Sequence, residues 1–374
     1  MTEVFLDEKV WMRRRDKKTF LIAHMADLTQ TDKTIEPGSP LSESFDSAVD
    51  TGVLKDWLES ELLSNGFMMV GFVNLDLLSD SPTWQQAQQD LDAWLDSGNH
   101  ADMDWMARYR DIRKNPKALM EGAKTAVVVA LNYAQEEPEE QRDESSLKVS
   151  TYAWGKDYHK VIRRRLASLL KRFQSAFPQV GIEGRAMTDS APVLEKALAI
   201  EAGLGWQGKN TLVIHPEHGS QFFIGELLLN IYLPVQAATF TDHCGRCQRC
   251  IDACPTDALG GVELGEAPRV LDSRRCISYW TIESAADVFP EDVQKNLQGW
   301  VFGCDICQQV CPWNQRFSAV TDDPAFEPRV WASSSNIESL VPLSLSRFQE
   351  LFQNSPIRRA GQKRFVRNVE SARL

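Results

Sequence analysis

The first 243 of 374 residues contain no cysteine, and all eight cysteines lie between Cys244 and Cys311. A disulfide framework spreads its bridges through a fold. This distribution therefore excludes one and points to thiolate metal ligands in a reducing, cytoplasmic compartment. No apolar run approaches the roughly 20 residues that cross a bilayer. RRRDKKTFLIAHMA (13–26) carries paired arginines, but His24 interrupts its short apolar core and Asp27 follows. Without a small-residue cleavage site it reads as a soluble extension rather than an export signal. Neither a GxGxxG nor a P-loop pattern occurs, which argues against NAD- or ATP-driven chemistry. Positive charge is also scarce: 41 Lys plus Arg against 52 Asp plus Glu give a net charge of −11. Nucleic-acid binding would have to rest on local basic patches.

Residues 1–50 have mixed charge and end in TIEPGSPLSESFDSAVD, which predicts a poorly ordered extension. From residue 51 to 238 helical and strand patterns alternate. GVLKDWLESELLSNGF (52–67) has apolar residues at helical spacing and a glycine stop. MMVGFVNL (68–75) and KTAVVVALNYA (124–134) read as buried strands, with a helix through WQQAQQDLDAWLDSG between them. QEEPEEQRDESS (135–146) is an acidic surface loop, and YHKVIRRRLASLLKRFQSAF (158–177) an amphipathic helix with a basic face. A further helix is expected from Pro192 to Ala202, stopped by Gly203, with strands in TLVIH (211–215) and QFFIGELLLNIYL (221–233). This alternation predicts an α+β chain whose first domain is an α/β sandwich. Residues 239–318 are cysteine-rich and loop-rich, and 319–374 form a polar tail with a basic end.

Two cysteine motifs stand in the third segment, CGRCQRCIDACP (244–255) and CDICQQVCP (304–312). In such runs the cysteine before the proline serves the other cluster. Cys276 supplies the ligand the second motif lacks, and the count closes. Cys244, Cys247, Cys250 and Cys311 would bind one [4Fe–4S] cluster; Cys254, Cys276, Cys304 and Cys307 would bind the other. Two four-cysteine zinc sites are the alternative, but zinc ribbons use separate C-x-x-C pairs. Two nearby clusters make an electron wire, and the α/β domain ahead of it implies a cofactor or substrate to be reduced.

The chain resembles the cobalamin-dependent epoxyqueuosine reductases of queuosine biosynthesis. The likeness lies in ADMDWMARY (101–109), YAWGKDYHKVIRRRL (152–166), TDSAPVLEKALAIEAGLGWQGKNTLVIHPEHGS (188–220), FFIGELL (222–228), RRCISYWTIE (274–283), CPWN (311–314) and PIRRAGQKRFVRN (356–368), besides both cysteine motifs. Residues 1–50 look like an addition to the family pattern, and the chain ends soon after RFVRN, where many members continue into a helical, repeat-like region. The resemblance implies a cobalamin-binding α/β domain followed by a ferredoxin-like domain with two [4Fe–4S] clusters. It implies reduction of epoxyqueuosine to queuosine at the tRNA wobble position, with the oxygen leaving as water. An unidentified donor would supply the electrons to a chain expected to act as a monomer. A corrinoid reductive dehalogenase and a non-catalytic electron carrier are the rival readings.

By the same resemblance Asp189 is the proton donor and a cobalamin contact. From the residues alone, a position just before Pro192 reads as a helix N-cap. Lys196 is placed at the substrate, though a surface lysine on a helix would look the same. Met103, Tyr158, Lys209, Asn210, Ser220, Ser278 and Asp305 are placed around cobalamin. His159 is left out, because the family is understood to hold cobalamin without a protein histidine on cobalt. Two basic patches, Arg163, Arg164, Arg165, Lys171 and Arg172 on one helix, and Arg358, Arg359, Lys363, Arg364 and Arg367 in the tail, are candidates for tRNA phosphates. A solvated helix face explains the first equally well.

Overall fold

In a computed structural model the described residues are 49–136, 147–235, 240–260, 269–332 and 343–373. The expected N-terminal extension lies, up to residue 48, outside them, as do residues 137–146 of the acidic loop. From Ala48 onward the chain makes one compact unit.

Four strands form its antiparallel sheet: β1 (Met69–Asn74), β2 (Thr125–Asn132), β3 (Gly184–Met187) and β4 (Phe222–Leu229), in the order β1-β2-β4-β3. β2 lies in the interior of the sheet and is covered on both faces. Val127, Val129 and Leu131 point to one side, Ala126, Val128 and Ala130 to the other. That two-sided burial is why its sequence reads as an unbroken apolar run rather than an alternating one.

Helices α1 (Thr51–Ser64) and α3 (Tyr158–Ala176) cover the first face. Asp50 starts α1 by accepting the Gly52 N–H at 2.8 Å. Leu54, Leu58 and Leu62, one turn apart, are buried from it; each contributes about 1.5–3 kcal/mol relative to exposure. α3 buries Ile162, Leu166, Leu169 and Phe173. It presses so closely that a Cβ on Gly225 of β4 would come within 2.5 Å of Ile162, which is why that strand position is glycine. α2 (Pro82–Asp96) and α4 (Glu195–Glu201) cover the other face through Trp84, Ala197 and Leu198.

α4 is shorter than the expected Pro192–Ala202 helix. Residues 189–193 are spent on tight turns, with Ser190 N–H donating to Thr188 O and Val193 N–H to Ala191 O. The helix begins only at Glu195, with no side-chain cap. The TLVIH stretch supplies just Val213–Ile214, paired with Trp206–Gln207.

The cysteine-rich segment is mostly loop, with short helices that include α5 (Ile277–Ile282). Its Trp300–Phe302 strand pairs in parallel with Lys148–Val149. The tail differs from its polar appearance. Phe348, Phe352, Ile357 and the α6 (Gln362–Ala372) residues Phe365 and Val369 are buried with Trp154, Val301 and Phe302. Buried Asn368 donates to the carbonyls of Thr281 and Val301 at 2.7 and 2.8 Å. Phe365→Ala should therefore destabilise the protein by roughly 3–5 kcal/mol, read as a lowered denaturant midpoint; a tail that is only an appendage would leave the midpoint unmoved. Among the described residues no helix is long and apolar enough to cross a membrane.

Candidate active site and iron–sulfur centre

The start of α3 and the turn after β3 meet at Asp189. Asp157 caps α3 by accepting the His159 N–H at 3.2 Å, and the same Oδ1 lies 2.7 Å from His159 Nδ1. The other ring nitrogen, Nε2, is 2.6 Å from Asp189 Oδ2, and the Tyr158 hydroxyl donates to that oxygen, also at 2.6 Å. Tyr158 is fixed between the His159 ring and Phe223, stacked on each. The buried imidazole thus sits between two carboxylates. Burial and the charge of Arg359 pull its pKa down, but Asp157 and then Asp189 outweigh them and hold it above the ordinary value. Stability from the charged imidazole is present in full below the unfolded value of about 6.5 and is lost as pH rises through the raised one.

Asp189 is no helix cap. It stands six residues before α4 at φ +53°, in the left-handed region. Its side chain is 51% exposed although His159 and Tyr158 of α3 both reach its Oδ2, so the carboxylate is open to solvent on its other side. Desolvation there raises its pKa, and the hydrogen bonds from His159 and Tyr158 more than reverse that, leaving it below the usual carboxylate range. His159 was not among the expected site residues. The capping aspartate two residues before it was the available signal, but Asp189, its decisive partner, is 30 residues away.

The eight cysteines are free thiols in two groups. Cys244, Cys247, Cys250 and Cys311 line one cavity. In the second group Cys276 feels the charge of Cys254, Cys304 that of Cys307 and Cys276, and Cys307 that of Cys276 and Cys254. Cys307 also feels Cys250, so the groups adjoin. Burial holds Cys304 and Cys307 far above the ordinary thiol range, a cost that bound iron offsets by taking thiolates. Backbone N–H groups reach the sulfurs, among them Ala258 N–H to Cys254 Sγ at 3.3 Å. The donor set fits two four-iron clusters.

Four residues expected at cobalamin use their side chains to join the cysteine loops to the sheet domain. Lys209 Nζ donates to Gly245 O at 2.7 Å, and Asn210 Nδ2 to Cys307 O at 3.5 Å. The Ser220 hydroxyl donates to Asn314 Oδ1 at 3.2 Å. Asp305 accepts the Ser150 hydroxyl and, at 2.7 Å, the Thr151 N–H. Met103 and Ser278 are half-buried, next in sequence to Asp102 and Tyr279, which bond each other. Lys196 is exposed and donates to Thr211 O at 2.8 Å. A relay of side chains leads from the second cysteine group to Asp189. Gln308 bonds Tyr133 at 3.1 Å, Tyr133 packs on Phe223, and Phe223 on Tyr158.

The basic residues divide. Arg358 and Arg359 join Lys160 and Arg163 around a cavity of about 290 Å³ beside His159, and Arg359 Nη1 lies against His159 Nε2. Lys363 pairs with Asp287, Arg364 bonds Ile282 O, and Arg367 bonds Trp280 O. Arg165 is held by Asp323 and Arg172 by Glu61.

The family model described as "Epoxyqueuosine reductase QueG, DUF1730" matches residues 113–190, and that of the 4Fe-4S double cluster binding domain matches 243–314. An epoxyqueuosine reductase of Synechococcus sp. (strain CC9605) is 40% identical over 85% of this chain and 94% of its own. This chain belongs to the epoxyqueuosine reductase family. The Pseudomonas aeruginosa epoxyqueuosine reductase is 41% identical over 84% of this chain and 82% of its own. A crystal structure of epoxyqueuosine reductase with an epoxyqueuosine-modified tRNA-Tyr stem loop superposes with a TM-score of 0.73 at 28% identity, covering 86% of this chain and 81% of that one. Membership accounts for the mixed α+β fold with a double-cluster domain after the sheet.

Proposed function

We propose that this protein reduces epoxyqueuosine to queuosine in tRNA, with residues 51–238 holding cofactor and substrate and 239–318 the two clusters. Within that reading Asp189 is the proton donor. The observation that carries it is the Asp189–His159 link, whose carboxylate end is half-exposed and whose imidazole end lies beside a basic cavity.

Cobalamin, when bound beside Asp189, would supply the reducing equivalents for opening the epoxide. Half-exposed Asp189 with its neighbour Tyr158, and the half-buried Met103 and Ser278, are the side chains offered to such a ligand. This chain's own task is proton delivery. Opening the epoxide leaves negative charge on oxygen, and removing that oxygen as water takes up two electrons and two protons, one passed through Asp189 and the other from solvent. An aspartate held below the usual carboxylate range is a poor acid alone. His159 changes that: the proton rests on Nε2, 2.6 Å from Asp189 Oδ2, and passes to the carboxylate as charge develops on the substrate oxygen. Asp157 fixes the ring and stabilises its cationic form.

The cavity lined by Lys160, Arg163, Arg358 and Arg359 suits the phosphates that flank the modified nucleoside. Arg358→Ala should raise KM for the tRNA roughly tenfold or more, the worth of a charge-assisted hydrogen bond, and flatten the salt dependence of binding while kcat holds. Equal losses in kcat and kcat/KM would place this arginine elsewhere in the mechanism. The function itself is tested by anaerobic reconstitution with iron, sulfide and cobalamin, followed by turnover of epoxyqueuosine-containing tRNA. Failure to form queuosine under a strong reductant, with clusters and corrinoid loaded, overturns it.

A further inference from the structure

Glu226 and Glu195 are buried acids that this mechanism leaves unused. Glu226 stands mid-strand in β4, opposite Val128 of β2 and Met187 of β3, and is 0% exposed. Among the described residues neither of its carboxyl oxygens meets an N–H or O–H donor. An ionised carboxylate in that position would be prohibitively costly. Its carboxyl group meets that of Glu195, the first residue of α4. Two carboxyl groups bond each other only when one carries a proton. Glu195 Oε1 in turn accepts the backbone N–H of Asp189, the residue at φ +53°. A non-glycine residue in that region persists when its surroundings over-determine it.

We propose that Glu226 and Glu195 form a carboxylic acid–carboxylate latch that holds the peptide of Asp189, and so the loop carrying the proton donor, against the sheet. Glu226 donates, Glu195 accepts twice, and the Asp189 carboxylate is left free for Tyr158 and His159. These two glutamates are positioning residues. The proposal rests on reading Asp189 as the donor only for its effect on turnover; the hold on the loop is separate.

Burial raises both glutamates, and the charge of Asp189 pushes Glu195 further. Arg113, Lys196 and His159 are the cations that act on Glu195. They favour one negative charge shared by the pair. Removing the latch proton at alkaline pH sets two carboxylates against each other beside Asp189, and the loop is released.

The test uses reconstituted holoenzyme and the variants Glu226→Gln, Glu226→Leu and Glu195→Ala. An infrared carbonyl band of a protonated buried carboxyl should be present in the native protein and absent from Glu226→Gln. Hydrogen exchange of residues 188–195 should quicken about tenfold or more in Glu226→Leu and Glu195→Ala. Their kcat should fall by about 10- to 100-fold with KM little changed, as for a misplaced catalytic group. Glu226→Gln, whose amide still donates to Glu195, should restore slow exchange and most of the lost kcat, and should remove the alkaline release of the loop. Should Glu226→Leu not fold, Glu195→Ala, at a half-buried position, reads the same loop. Native-like exchange in Glu195→Ala, or no protonated-carboxyl band, overturns the latch. If Asp189→Asn keeps turnover while the exchange results hold, the latch stands and the reading of Asp189 fails.

Discussion

Asp189→Asn should lower kcat on epoxyqueuosine-tRNA by roughly 10²–10⁴-fold, the contribution of a general acid. Cluster content and corrinoid binding should stay as they are. An amide keeps the shape of the side chain and can still accept from the Tyr158 hydroxyl or His159, so the loop has no reason to move. What it loses is a proton to give. A second readout separates this from a structural fault. Asp189 is one of the two carboxylates that hold the His159 pKa up, so in the asparagine variant that pKa should fall, visible by NMR titration of the ring. An unchanged His159 titration, or turnover within threefold of the native protein, would remove Asp189 from the proton path.

Cys254→Ser should lose about half the iron and all turnover. The motif that contains Cys254 gives its first three cysteines to one group, while Cys254 lies with Cys276 and Cys307. Serine therefore damages the cluster next to Asp305 and Gln308, on the side of the relay toward Asp189. Cys311→Ser, although it sits in the other motif, should damage the cluster of Cys244, Cys247 and Cys250. Iron analysis and electron paramagnetic resonance of the two variants decide the crossover. If Cys254→Ser and Cys311→Ser strip the same cluster, each motif serves its own and the assignment is wrong.

Much of this site could be read from the chain. The cysteine spacing and count suggested the pairing that these two variants test, because eight ligands in two interleaved motifs leave one arrangement in which each proline-flanked cysteine crosses. The helical spacing of Leu54, Leu58 and Leu62 and the continuous run of β2 gave the layers. What stayed hidden depends on contacts distant in sequence. FFIGELL reads as an ordinary strand, and nothing nearby says that its glutamate meets Glu195 of the helix packed on that face. PIRRAGQKRFVRN looks like a basic tail because five arginines and lysines conceal two anchors, Ile357 and Phe365, that carry it into the core. Lys209, Asn210, Ser220 and Asp305 lie in stretches that match the family. The structure adds that their side chains join two parts of the protein, a role that spacing does not distinguish from ligand contact.

Those four joints bear on how much of the protein a cell can keep. Each ends on the cysteine loops or beside them, and two of them, from Lys209 and Asn210, end on backbone carbonyls whose placement follows the ligating sulfurs. Iron that orders those loops also closes the joints, so metal loading and folding share one free energy. Under iron limitation the cost falls on the amount of protein as well as its activity. Chains that miss their clusters are left with open seams for proteases, and abundance should track iron supply in pulse-chase measurements even at constant synthesis.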